Sequence, residues 1–167
     1  NIDVEYAREK GLHVINTPAA SSASVAELVF AHLFSGVRYL YDANRNMPLE
    51  GDTKFKALKK AYAKGTELSG KTLGVIGFGR IGQATAKIGL GLGMNVIAFD
   101  PFMEKATVSV SFFDGQSLDF DIPMDSKDNV LIQADFVTLH VPAKKEFVIG
   151  APELELMKDG AGLVNAA

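Results

Sequence analysis

Residues 72–82 read Thr72-Leu73-Gly74-Val75-Ile76-Gly77-Phe78-Gly79-Arg80-Ile81-Gly82, and 18 positions beyond them the run Asn95-Val96-Ile97-Ala98-Phe99 ends in Asp100. The first five residues are apolar and β-branched without alternation, as in a strand buried on both faces. Residues 77–82 then match G-x-G-x-x-G. A chain with 16 glycines can hold such a hexapeptide by chance. Its setting makes it specific: a buried strand in front, a helical pattern behind, and a second buried strand ending in an acid. Each position has a physical task. Gly77 permits the tight turn out of the strand, Gly79 lets a diphosphate approach the backbone, and Gly82 lets the helix lie close to the strand. The N–H groups of Arg80 and Ile81, at the positive end of that helix, are the expected diphosphate donors. Asp100 is expected to accept hydrogen bonds from a ribose diol. Its charge would repel the extra phosphate of NADP, and Pro101-Phe102 supplies no arginine to hold one. The expected cofactor is therefore NAD.

The same grammar continues on both sides. Ile81 to Leu92 reads as helix, Phe136-Val137-Thr138-Leu139 as a third strand and Gly162-Leu163-Val164 as the start of a fourth, with helices near 128–133 and 152–158. Strand–helix–strand alternation predicts right-handed crossovers and a parallel sheet. The fold class is α/β, a Rossmann-type doubly wound parallel sheet, expected to be incomplete at its C-terminal end. Val108–Phe113, Asp114-Gly115 and Ser117–Ile122 predict a hairpin excursion. Upstream, the pattern predicts a helix from Val4 to Lys10, a turn at Gly11 and a strand over Leu12–Ile15 that Pro18 ends. Ser24-Val25-Ala26-Glu27 has capping-box spacing and opens a long helix to about Asn46, interrupted at Gly36. Residues 47–70 are the least patterned. Their basic run, Lys54 to Lys64, reads as a solvated amphipathic turn or helix, with phosphate steering as the sharper alternative.

Composition narrows the function. The 167 residues are 47% hydrophobic and 22% charged, the balance of a globular domain with a core. Seventeen basic against 20 acidic residues give −3, which argues against a nucleic-acid binder. There is no Cys, so disulfides, zinc–thiolate sites and a cysteine nucleophile are excluded. No stretch has the length of a membrane span and no signal peptide opens the chain, so the cytoplasm is the expected compartment. The chain begins at Asn1 and stops in an apolar run, as though cut at both ends. No His/Asp/Glu spacing suggests a metal site. Asp119 and Asp121 would share one solvated hairpin face and are discounted as a catalytic pair. His13 and His32 read as structural or surface residues. His140 differs: with Val141 and Pro142 it follows the third strand, where open α/β sheets carry their ligand loops.

Nearly the whole chain resembles the D-isomer-specific 2-hydroxyacid dehydrogenases, closest to their phosphoglycerate-oxidising branch. The resemblance rests on several segments in register. Asn1-Ile2-Asp3 with Val14-Ile15-Asn16-Thr17-Pro18 resembles the family's entry segment, and Ser24-Val25-Ala26-Glu27 with Arg38 its interdomain helix. Gly65–Gly74 leads into the glycine loop as in the family, and Phe99-Asp100-Pro101, Ala134–Pro142, Met157-Lys158 and Val164-Asn165-Ala166-Ala167 follow. The resemblance implies residues 1–18 as the tail of a substrate domain and 19–167 as most of an NAD-binding domain. It implies cofactor contacts at Gly77, Gly79, Arg80, Ile81, Gly82, Asp100, His140, Val141, Pro142, Ala166 and Ala167. It further implies a small 2-hydroxy acid substrate, most closely 3-phospho-D-glycerate at the entry to serine synthesis, and a homodimer or higher homo-oligomer. D-lactate, glycerate or hydroxypyruvate chemistry, or a non-catalytic NAD-sensing dimer like the family's corepressors, remain alternatives.

In the family a histidine does the proton transfer, a glutamate raises its pKa and an arginine grips the substrate carboxylate. The arginine is expected directly after Ala167 and the others further on, so no catalytic residue is assigned and this chain alone is expected to be inactive. Two features depart from the family pattern: the positive Ala143-Lys144-Lys145 after Pro142, and the long hairpin over 108–122.

Overall fold

A computed structural model describes residues 2–17, 19–142 and 145–166. β1 (Thr72–Ile76), β2 (Asn95–Phe99), β5 (Phe136–Leu139) and β6 (Gly162–Asn165) form a parallel sheet in the order β2-β1-β5-β6. All four residues of β5 and all but Thr72 of β1 are buried, as central strands covered on both faces must be. α4 (Arg80–Gly91) and α2 (Ser22–Val37) cover one face, around Val29, Leu73, Val75 and Phe78. α5 (Lys127–Gln133) and α6 (Ala151–Leu156) cover the other, around Ile76, Val130, Leu131 and Val137. The chain leaves β1 towards β2 and later returns to β1's other side as β5. Strand order therefore reverses between β1 and β5, and a crevice opens beyond their carboxyl ends.

At the opposite end of the sheet, Asp135 Oδ2 accepts from the Thr72 N–H at 2.8 Å while Lys158 Nζ donates to Oδ1 at 2.9 Å. The Thr72 amide first, and Lys158 after it, hold this carboxyl below its usual range. The expected hairpin is present as β3 (Lys105–Ser111) and β4 (Ser117–Pro123), with Val108 and Ile122 buried against the α4 side of the sheet. Asp119 and Asp121 are both exposed on β4.

Three expectations need correction. Leu12–Ile15 is not a strand. No described segment pairs with it, and Leu12 and Ile15 are 63% and 89% exposed. Ser24 does not cap its helix. α2 starts at Ser22, because a turn places the Ser22 N–H on Ala19 O, and the Ser24 hydroxyl donates back to Ser21 O. Nor does this helix reach Asn46. It ends at Val37, and Tyr39 turns left-handed with φ 54°. The returning chain takes over the helix end: the Thr66 N–H donates to Val37 O at 2.9 Å, and a Cβ on Gly65 would lie 2.8 Å from that oxygen. A separate helical stretch, α3 (Leu40–Tyr62), kinked at Lys54, then spans most of the poorly patterned segment and most of the basic run, and none of its residues is buried. α1 (Val4–Glu9) forms close to its expected place, with Asp3 accepting from the Tyr6 N–H at its start. No helix among the described residues is long and apolar enough to cross a membrane.

Candidate functional site

The loop after β1 is set by close approaches. Gly77 leaves the strand with φ 92°, in the region that favours glycine. A Cβ there would lie 2.6 Å from His140 O and 2.7 Å from Val141 Cγ1, so this loop and the loop after β5 touch. A Cβ on Gly82 would lie 2.2 Å from Gly77 O, which brings the first turn of α4 directly onto the loop backbone. Gly79 is different: a Cβ there meets nothing within 4 Å. It sits at the N-cap of α4 and has no side chain to cap it. The first-turn N–H groups of a helix lack intrahelical partners, so the Arg80 and Ile81 amides face an open approach with the helix dipole behind them.

Phe78, between the first two glycines, is fully buried and anchors the loop. Its N–H donates to Asp100 Oδ2 at 2.8 Å, and Asp100 Oδ1 accepts from the Phe102 N–H at 2.9 Å. The carboxylate at the end of β2 is thereby locked to the glycine loop. Each of its oxygens keeps a second lone pair for a ligand hydroxyl.

His140 continues β5 by donating its N–H to Ile76 O at 2.8 Å. Its ring Nε2 lies 3.2 Å from Thr85 Oγ1 and 3.0 Å from Thr138 Oγ1, both on wholly buried residues. Thr85 spends its single hydroxyl hydrogen on Ile81 O at 2.9 Å. Nε2 is thus set between two buried hydroxyls. Burial lowers the imidazole from its ordinary 6.5 to about 4. A group that weakly basic is a poor proton shuttle near neutrality. Its ring ties β5 to α4 beneath the loop, and the residue also lines the cleft.

Gly79, Asp100, His140, Val141 and Pro142 come together around a cleft of about 630 Å³. Phe99, Phe102, Phe147 and Val148 give it apolar walls, and Lys127 adds a cation. Apolar walls with a few fixed polar groups suit a flat heterocycle carrying a hydroxylated sugar. Gly77 and Gly82 support the loop from beneath. Arg80 is exposed at its edge. Ala166 follows β6, partly buried against the core on the α4 side, and is not among the cleft-lining residues. Ala167, like Ala143 and Lys144, lies outside the described residues. His13 and His32 are exposed and line no part of the cleft. Sequence reasoning missed Thr85, Thr138, Lys127 and Glu153. Thr85 sits one turn after Ile81 on α4, a spacing that offered a weak signal. Lys127 and Glu153 lie on separate helices with no local pattern to join them.

The second and third glycines of the motif predict opposite phenotypes. Gly79→Ala keeps thermal stability within about 1 kcal/mol but weakens NADH binding at least about tenfold by intruding on the ligand's approach. Gly82→Ala destabilises the fold by about 3 kcal/mol through overpacking; calorimetry and denaturant titration separate the two. The shifted imidazole predicts a pH effect. Between 6.5 and about 4 the unfolded chain binds more protons at His140 than the folded one. Its contribution to stability is thus full above 6.5 and is lost as pH falls towards 4. Melting temperatures measured across that window should fall on acidification, and less steeply in His140→Gln. An identical slope in the variant contradicts the assignment.

The family model described as "D-isomer specific 2-hydroxyacid dehydrogenase, NAD binding domain" matches residues 30–167. The chain is 40% identical over 169 residues to a hydroxypyruvate reductase of Thermotoga maritima, covering 100% of this chain and 49% of that protein. It is 41% identical over 169 residues to a D-3-phosphoglycerate dehydrogenase of Methanocaldococcus jannaschii, covering 100% of this chain and 30% of that protein. It superposes with TM-score 0.68 and 33% identity on a solved D-lactate dehydrogenase from Aquifex aeolicus complexed with NAD and lactic acid, over 98% of this chain and 45% of that one. The chain thus spans about half the length, or less, of these relatives. With a glycine loop, a locked acid at the end of β2 and a family match over most of its length, the chain belongs to the NAD-binding domain family of the D-isomer-specific 2-hydroxyacid dehydrogenases.

Proposed function

We propose that this chain is the nucleotide-binding portion of an oxidoreductase that moves hydride between NAD and C2 of a D-2-hydroxy acid, and that the acid is 3-phospho-D-glycerate at the entry to serine synthesis. The observation that carries the cofactor reading is the Phe78–Asp100–Phe102 lock beside an open helix N-terminus. In this reading the Arg80 and Ile81 amides bind the diphosphate, Asp100 takes the adenosine ribose diol, and the Val141-Pro142 turn borders the adenosine. The bound nicotinamide supplies the redox chemistry, while the protein orients it. Residues up to 18 belong to the tail of a substrate domain, and 19–167 to the nucleotide-binding domain. Ala166, just after β6, would meet the cofactor beyond the cleft in this reading. The protein works in the cytoplasm as a homodimer joined through this domain; exposed Leu28 and Phe34 on α2, with Leu40, Leu49 and Phe55 on α3, supply apolar surface for it.

Similar identity to a hydroxypyruvate reductase and to a phosphoglycerate dehydrogenase supports a second substrate reading, the unphosphorylated three-carbon acids.

Calorimetry of this chain with NADH and NADPH tests the cofactor reading. NADH is expected to bind at least about tenfold more tightly, with the preference reduced in Asp100→Asn; equal affinities in the unsubstituted chain contradict it. For the substrate, NADH formation by the whole enzyme should be fastest with 3-phospho-D-glycerate. Faster turnover of glycerate or D-lactate would favour the second reading. Light scattering that found a monomeric enzyme would remove the dimer.

A further inference from the structure

Lys127, the first residue of α5, and Glu153, in the first turn of α6, meet beside the cleft. Lys127 Nζ lies 2.7 Å from Glu153 Oε1, and the two side chains are only 27% and 21% exposed. The surface pair Lys54–Glu50 keeps 62% and 43%. The pair is also held from both sides. Glu153 Oε2 accepts from the Gly150 N–H at 2.9 Å, and Lys127 Nζ donates to Val148 O at 3.4 Å. Hydrogen bonding from Lys127 first, and from the Gly150 amide next, pulls the Glu153 carboxyl down to about 2, so it is charged at any working pH.

Lys127 shares the cleft with Asp100 and Phe102. Among the described residues that line it, Lys127 is the one cation, alongside the acids Asp100 and Glu146, and burial pulls the His140 imidazole down to about 4. NADP differs from NAD by a phosphate on the adenosine ribose, the sugar assigned above to Asp100. A free lysine in this cleft would offer that phosphate a counter-charge. A lysine whose charge is already offset by a carboxylate offers that phosphate far less.

We propose that the Lys127–Glu153 pair is a determinant of cofactor specificity: Glu153 sequesters the cleft's cation from a 2′-phosphate, so that NADPH is refused by a second device beside the charge of Asp100. This rests on the cleft being the cofactor site. The pair excludes a competitor by leaving its extra group without a partner, and it does so without touching NAD. It also explains how a cationic side chain can line a cleft that favours the less charged dinucleotide.

The test is calorimetric titration of the chain with NADH and NADPH, read as the ratio of the two dissociation constants. Glu153→Gln keeps an oxygen to accept from the Gly150 N–H but removes the charge. It should lower the preference for NADH by about five- to tenfold, mainly through tighter NADPH, as expected for one unit charge removed within a Debye length. Lys127→Ala should move the ratio the opposite way, since Glu153 is then uncompensated. The double variant should return to within about twofold of the unsubstituted chain. Melting temperatures of the variants check folding, and the opposite sign of Lys127→Ala gives a readout independent of Glu153→Gln. An unchanged ratio in Glu153→Gln with NADH binding intact overturns the inference and leaves the cofactor-site reading standing. So does a gain that survives in the double variant. If the unsubstituted chain binds neither dinucleotide, the cofactor-site reading falls and takes this inference with it.

Discussion

The contact between Gly82 and the carbonyl oxygen of Gly77 is the constraint on which the site depends. No side chain fits between them, since even a Cβ would stand 2.2 Å from that oxygen. The first turn of α4 is therefore seated on the loop that leaves β1, and its unpartnered amides open at Gly79. Between those glycines Phe78 is fully buried, and burying that ring anchors the loop. The Phe78 N–H is then directed at Asp100, and the end of β2 becomes part of the loop. One missing side chain thus positions donors, acceptor and anchor together.

The sheet gives this loop its opposite wall. Because β5 pairs with β1 on the side away from β2, the His140 turn runs beside the glycine turn, with His140 O against Gly77. The imidazole reaches back to Thr85 on α4 and to Thr138 on its own strand. Buried polar groups need partners, and both threonine hydroxyls find one in the His140 ring. That network closes the space under the cleft. On the far side the Lys127–Glu153 pair joins α5 to α6 and holds the Val148 carbonyl. The cleft is framed by two tethers, one nearly neutral and one ionic.

What the sequence made legible was what local physics decides. The buried strands, the glycine loop, the helix behind it, Asp100 and the hairpin turn at Gly115 all follow from apolar runs and glycine placement, and each stands where the pattern puts it. The misreadings fall where distant chain decides. Leu12–Ile15 has the composition of a strand but no described partner. The helix from Ser22 stops at Val37 because Gly65 and Thr66, far along the chain, come back to its last carbonyl. Nothing near Gly36 encodes that return. The two tethers of the cleft were hidden for the same reason: Thr85 with His140, and Lys127 with Glu153, are distant in sequence and carry no shared period.

The central claim is that the cleft between the glycine loop and the His140 turn holds NAD with its adenosine ribose on Asp100. A crystal structure of the chain with NAD tests this most directly. The account predicts the ribose hydroxyls within hydrogen-bonding distance of the Asp100 oxygens and the diphosphate at the Arg80 and Ile81 amides. A dinucleotide bound elsewhere, or one in this cleft whose ribose avoids Asp100, would contradict it.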